Sequence, residues 1–222
     1  MDVYLESGAK RVFAGAIAWP GWCRSARGED EALASLTEYG ARYAAALKHA
    51  DLRPVFVPPK KASTLRVVER LDGDGTTDFG APSIAPAADD SPVEPSDLRK
   101  LRAIMEAAWA ALDRAARAAA GVELKKGPRG GGRDLGGVLE HVMGAEVSYA
   151  RKIAIRAPTP AGTSSSDPAH RAAVLDGLSR AVNEGVPASG PRGGVMWSPR
   201  YFIRRAAWHV LDHAWEIEDR SR

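Results

Sequence analysis

Hydrophobic and polar positions change their period part-way along the chain. In residues 11–20, Phe13, Ile17 and Trp19 fall on one side while Ala14, Ala16 and Ala18 fall on the other. This alternation of period two predicts a strand. Residues 3–8 predict a short partner strand, and Gly8 in the intervening turn makes the pair a hairpin. Pro20 and Gly21 then end the strand. From residue 29 to residue 49 the spacing becomes three and four: Leu33, Leu36, Gly40, Tyr43 and Leu47 form one stripe of a predicted helix. Glu29, Asp30 and Glu31 occupy its first turn, where negative charge suits the helix dipole. Two valine-rich stretches follow, 53–59 and 63–73, and both predict strands. Pro54, Pro58 and Pro59 place the first of them at a sheet edge.

Periodicity then lapses. Residues 73–95 are dense in Gly, Pro, Asp and Ser, hold little apolar material and predict a linker. Their Asp-Gly-Asp-Gly run has a faint likeness to a calcium loop but lacks the closing glutamate, so a turn-rich connection is the expectation. Beyond it the helical period returns four times. Residues 96–120 carry Leu98, Leu101, Met105, Ala108 and Leu112 on one face. Residues 134–156 carry Leu135, Val138, Val142, Ala145 and Tyr149. A third helix is capped by Asp167, with Pro168 in its first position, and ends at Gly185; Leu175, Leu178 and Val182 form its stripe. A fourth runs from Ser198–Pro199 towards the C-terminus. Glycine-, proline- and serine-rich loops separate the four. The loop at 125–134 is not a phosphate loop, since it lacks the Gly-Lys-Ser/Thr ending and follows no strand. The expected fold class is α+β: a small ββαβ(β) domain over residues 1–72, the linker at 73–95, and a four-helix bundle over 96–222.

Composition narrows the setting. The 222 residues are 45% hydrophobic and 27% charged, as in ordinary globular proteins. Net charge is only +3, and the basic pairs Lys60–Lys61, Lys125–Lys126 and Arg204–Arg205 are scattered among acids. That argues against a nucleic-acid partner, which needs a concentrated basic face. No apolar run approaches a membrane span and the first residues have no signal-peptide core. The one cysteine, Cys23, forms no internal disulfide and reads as a small packed residue. A cytoplasmic setting, a small-molecule substrate and no membrane partner are the expectations; a homodimer is left open.

The candidate chemistry lies in the histidines. His209 and His213 stand four apart on the last helix, on the stripe of Phe202, Ala206 and Ile217. Positions i and i+4 share a helix face. Two imidazoles facing a core need partners, and a divalent cation would satisfy both lone pairs. No glutamate follows the first histidine, so a zinc-protease helix is excluded. His141, beside the Val138–Val142–Ala145 stripe, can meet the pair if the second and fourth helices are neighbours. Three imidazoles would leave coordination positions open. The alternative is a packed His141 donating to a backbone carbonyl. His49 and His170 are expected to face solvent. Glu140, Asp212 and Glu216 are candidates to orient imidazole N–H groups from behind, or else members of a solvated face. Trp208 and Trp215 are expected to pack between helices or against the N-terminal half. Arg204 and Arg205 either bind an anionic substrate or lie on the wet side of their helix.

The stretches GGVLEHVMGAEVSYARKI and YFIRRAAWHVLDHAWEIEDR resemble the metal-binding helices of the DinB-like (YfiT-like) four-helix bundles, over roughly residues 97–222. The resemblance implies that His141, His209 and His213 hold a divalent metal, zinc or nickel foremost. It also implies an enzyme acting on a small molecule, either an S-transferase that uses a low-molecular-weight thiol or a hydrolase. The N-terminal stretch FAGAIAWPGWCRSARGEDEALASLTEYGARY is similar to the HicB-like half-domain at Pro20, Gly21, Cys23, Glu31, Ala32 and Leu33. It departs where Gly28 replaces a threonine and where no DNA-binding tail follows, so a shared small fold is what this likeness implies. A non-catalytic binding or regulatory protein, with a metal that only stabilises the bundle, is the second reading.

Overall fold

The computed structural model describes residues 1–126, 132–156, 167–191 and 193–222. The expected loops at 125–134, 157–168 and 187–194 therefore lie partly outside the described residues. The chain is mixed α+β. Strands β1 (Asp2–Ser7), β2 (Val12–Ala16), β3 (Cys23–Ala26) and β4 (Arg66–Asp72) make one sheet in the order β3-β2-β1-β4. The β1–β2 and β2–β3 pairs are antiparallel and β1–β4 is parallel. Helices α1 (Glu29–Glu38) and α2 (Gly40–Leu47) connect β3 to β4, and a short helix α3 (Gly75–Phe79) follows. Four longer helices complete the chain: α4 (Pro95–Ala118), α5 (Leu135–Arg151), α6 (Pro168–Glu184) and α7 (Pro199–Arg220).

The period-two alternation sorts the sheet's residues onto two buried faces. Val3, Leu5, Val12, Ala14 and Ala16 join Ala32 and Leu36 of α1 in the main core. Phe13 and Cys23 face the other way, against Trp208 of α7. Tyr4 lies flat across β2 on that second face. A Cβ on Gly15 would sit 2.4 Å from the Tyr4 ring, so the strand needs a glycine there. Burial pushes the Cys23 thiol up to about 12, which leaves it a packed, unreactive group.

Several expectations are corrected. The helix expected over 29–49 breaks at Tyr39, whose ring leaves the helix line to pack 5.1 Å from that of Trp215. The extra strand lies before the helices, as β3, and not after them. It was missed because Cys-Arg-Ser-Ala is short and mostly polar. Residues 53–59 form no strand: Phe56 instead plugs a cluster with Trp19, Trp22 and Tyr43 at ring distances of 4.9–5.1 Å. Their prolines withhold the donors that a ladder needs. The stretch 73–95, expected as a linker, is held by polar anchors. The fully buried Glu6 accepts from Thr77 Oγ1 at 2.6 Å and from the backbone of Ser83 and Ile84. Asp74 caps α3 through Thr76 and Thr77.

Helix α7 carries the rest. It packs against α4, α5 and α6, and every residue from Tyr201 to Leu211 is buried. Its Arg204 reaches through the interface. Nε and Nη2 donate to the two carboxylate oxygens of Asp89 at 2.6 and 2.8 Å, while Nη1 and Nη2 donate to the carbonyls of Ala16 and Ile17 at 2.6 and 2.9 Å. Both expectations for Arg204 thus give way to a third: it ties the last helix to the end of β2 and to the 3-10 turn at 87–90. Removing one partner strands the other as a buried charge. Asp89→Ala is therefore expected to lower unfolding stability by about 3–5 kcal/mol, read from urea denaturation. A loss well below 1 kcal/mol would contradict the role given to this pair.

Candidate metal centre

His141 comes from α5, and His209 and His213 come from successive turns of α7. The N-terminal Asp134 cap, whose side chain accepts from Gly137 N at 2.7 Å, sets where α5 starts. Val138 and Val142 then bury that helix against the core and carry His141 to α7. One nitrogen from each of the three rings lies within 4.8 Å of the others. The Nε2 atoms of His141 and His209 are 3.2 Å apart. Two imidazoles on a tetrahedral zinc, each about 2.05 Å from it, have nitrogens about 3.3 Å apart, so this pair fits such an ion. His209 is buried, while His141 and His213 are half-buried, which leaves one side of the group approachable.

The electrostatics favour unprotonated rings at His209 and His141. Burial, with added repulsion from His213, Arg205, His141 and Arg133, pushes His209 down to about 2. His141 is lowered for the same reasons, burial first and then His213 and Arg133. The Nδ1 of His213 faces Glu216 Oε2 at 2.7 Å. That contact holds the Glu216 carboxyl below its usual range. In a neutral ring Nδ1–H donates to this carboxylate, which leaves Nε2 as the nitrogen open to a metal. Arg220 Nη1 donates to the other Glu216 oxygen at 2.6 Å and fixes its position.

The three orienting candidates separate clearly. Glu216 lies behind His213. Asp212 turns away to accept from Arg24 of β3 at 2.5 Å. Glu140 lies on the exposed side of α5. His49 is exposed, as expected. His170 is buried, contrary to expectation, with Nε2 3.8 Å from the buried Glu146, which also accepts from Trp109 Nε1 at 2.9 Å. Its spacing to Val174 and Leu178 already placed it on the inward stripe. Trp208 packs edge-on against Phe13 and Trp215 against Tyr39, so both seal the N-terminal half onto α7. Arg205 is buried as well. The wall that sequence reasoning missed is Tyr149, edge-on to His209 with ring centroids 5.7 Å apart; its place on the inward stripe of α5 was the available signal. No helix among the described residues is long and apolar enough to cross a membrane. The chain matches no protein-family model, no curated protein and no solved structure.

A depressed histidine links stability to pH. Native His209 stays neutral, whereas in the unfolded chain it gains a proton below its ordinary 6.5. The unfolded state then holds more protons, so stability is full above about 6.5 and falls as pH drops towards about 2. The metal-free protein is expected to show a falling urea midpoint between pH 7 and pH 5, and His209→Gln to flatten that slope. An unchanged slope in the variant would remove His209 as its source.

Proposed function

We propose that the chain is a metal-dependent enzyme of the DinB-like type, with α4 to α7 as its four-helix bundle. In this reading His141, His209 and His213 hold zinc or nickel, and the substrate is a small molecule. The reaction is a thiol-dependent S-transfer or a hydrolysis. One observation carries the reading: the three ring nitrogens converge while the nearby acids serve elsewhere, Glu216 on His213 and Asp212 on Arg24. A set of three protein donors leaves a position for water, thiol or substrate, which is how catalytic sites differ from closed structural ones. Bound there, a divalent ion would supply Lewis acidity and lower the pKa of a water or thiol that it coordinates.

The chain's own residues do the positioning. Glu216 holds the His213 ring in one tautomer, and Arg220 holds Glu216. Tyr149 and Trp208 wall the buried side of His209 and keep water from it. In this reading the HicB-like half serves as the cover of α7, since Phe13, Tyr39 and the Ala16 carbonyl all engage that helix. The non-catalytic reading asks for a ligand set closed by an acidic side chain, and the convergent group consists of histidines alone among the described residues.

Metal analysis of the purified protein is the direct test. Wild type is expected to carry one equivalent of zinc or nickel, and His141→Ala and His209→Ala to lose it while staying folded. Conjugation of 1-chloro-2,4-dinitrobenzene to mercaptoethanol, and hydrolysis of p-nitrophenyl acetate, then separate transferase from hydrolase. Unaltered metal content in both variants would end the proposal.

A further inference from the structure

Two adjacent arginines on α7 are both buried and are treated in opposite ways. Arg204 has a carboxylate and two carbonyls for its donors. Arg205, 8% exposed, has none of these: its Nη1 is buried and meets no acceptor among the described residues. Its guanidinium instead lies over two rings, 5.0 Å from the Tyr149 centroid and 4.6 Å from that of Trp208. Those rings also flank His209, at 5.7 and 6.1 Å. Arg205 precedes His209 by one turn and so shares its face.

Aromatic faces attract a cation but accept few of its hydrogen bonds. A guanidinium has five N–H donors in a planar fork, and burying them unmet is unfavourable. Asp89 is engaged with Arg204, Asp212 with Arg24, Glu216 with His213 and Arg220, and Glu146 with Trp109. The fork therefore lacks a partner that arrives from outside, and planar oxyanions match its geometry. We propose that Arg205 binds an anionic group, carboxylate or phosphate, of the ligand whose other end reaches the histidine centre. The Tyr149 and Trp208 rings hold the guanidinium in place for that contact. The inference deepens the proposed function in that it names the charge of the substrate or thiol, and it rests on that reading for the ligand's other end. The anion contact itself requires no metal.

Two thiols that differ only in charge make the test: 3-mercaptopropionate and 3-mercaptopropan-1-ol, titrated into the cobalt(II)-loaded chain and followed by sulfur-to-cobalt absorbance. Wild type is expected to bind the acid about tenfold more tightly, the scale of one charge-assisted hydrogen bond. Arg205→Met is expected to erase that preference while leaving cobalt content and affinity for the alcohol unchanged. Arg205→Gln, which keeps a polar side chain without the charge, is the second variant if the first does not fold. Propionate and inorganic phosphate as separate competitors identify which oxyanion is preferred. Equal affinity for the two thiols in wild type, or a preference that survives in the variants, would overturn the assignment. Should cobalt fail to bind wild type, the metal reading falls by itself. Arg205 is then judged on propionate and phosphate binding to the metal-free chain, read by near-ultraviolet circular dichroism. A response lost in Arg205→Met supports the site, and a response absent from wild type or retained in the variant refutes it.

Discussion

The buried fork between Arg204 and Asp89 is the constraint on which the arrangement turns. It fixes the rotation and depth of α7, because the same guanidinium also grips the carbonyls at the end of β2. With that helix clamped, its other faces have defined neighbours: α4 and α5 among the later helices, Phe13 and Tyr39 from the N-terminal half. His209 lies little more than one turn further along, so the clamp sets where its ring can reach. A buried ion pair is a poor source of net stability, yet breaking one strands a charge in the interior. A rotation of α7 that turned His209 and His213 away from His141 would pull Arg204 off Asp89 and carry that cost.

The candidate centre is markedly cationic for its size. Arg205 and Arg133 both act on His209, and the acid closest to the rings, Glu216, divides its two oxygens between His213 and Arg220. Such an environment keeps imidazoles neutral and favours ligands that bring negative charge. Asp212, a candidate to orient an imidazole from its place beside the pair, is taken up instead by Arg24 of the sheet.

Much of this was legible in the chain. Period two marked β2 and the turn at Gly8 its partner β1, the Asp167 cap and the Ser198–Pro199 start marked α6 and α7, and the i, i+4 pair with His141 marked the convergent rings. The losses have physical causes. Residues 53–59 are valine-rich as a strand is, but Phe56 answers to an aromatic pocket and has no ladder to join. The helix over 29–49 looked continuous because one stripe runs through it, and nothing local revealed that Tyr39 had a partner on α7. Residues 73–95 hold too little apolar material to predict packing, whereas their anchors are polar: buried Glu6, which takes Thr77, Ser83 and Ile84, and Asp89, which takes Arg204. The burial of α7 from Tyr201 to Leu211 is hidden in the sequence by Arg204 and Arg205, which suit an anion site or a wet face, until the structure places Arg204 on Asp89 and Arg205 over Tyr149 and Trp208.

The turn after β2 has a wider consequence. Gly21 holds a φ of +91°, and a side chain there would press within 3.0 Å of the Ala207 methyl, two residues before His209. The sheet and the helices are therefore not interchangeable cassettes. A lineage that exchanged one half for a foreign counterpart would have to rebuild this seam first, with glycine kept at position 21, where the positive φ strains any side chain whatever stands at 207.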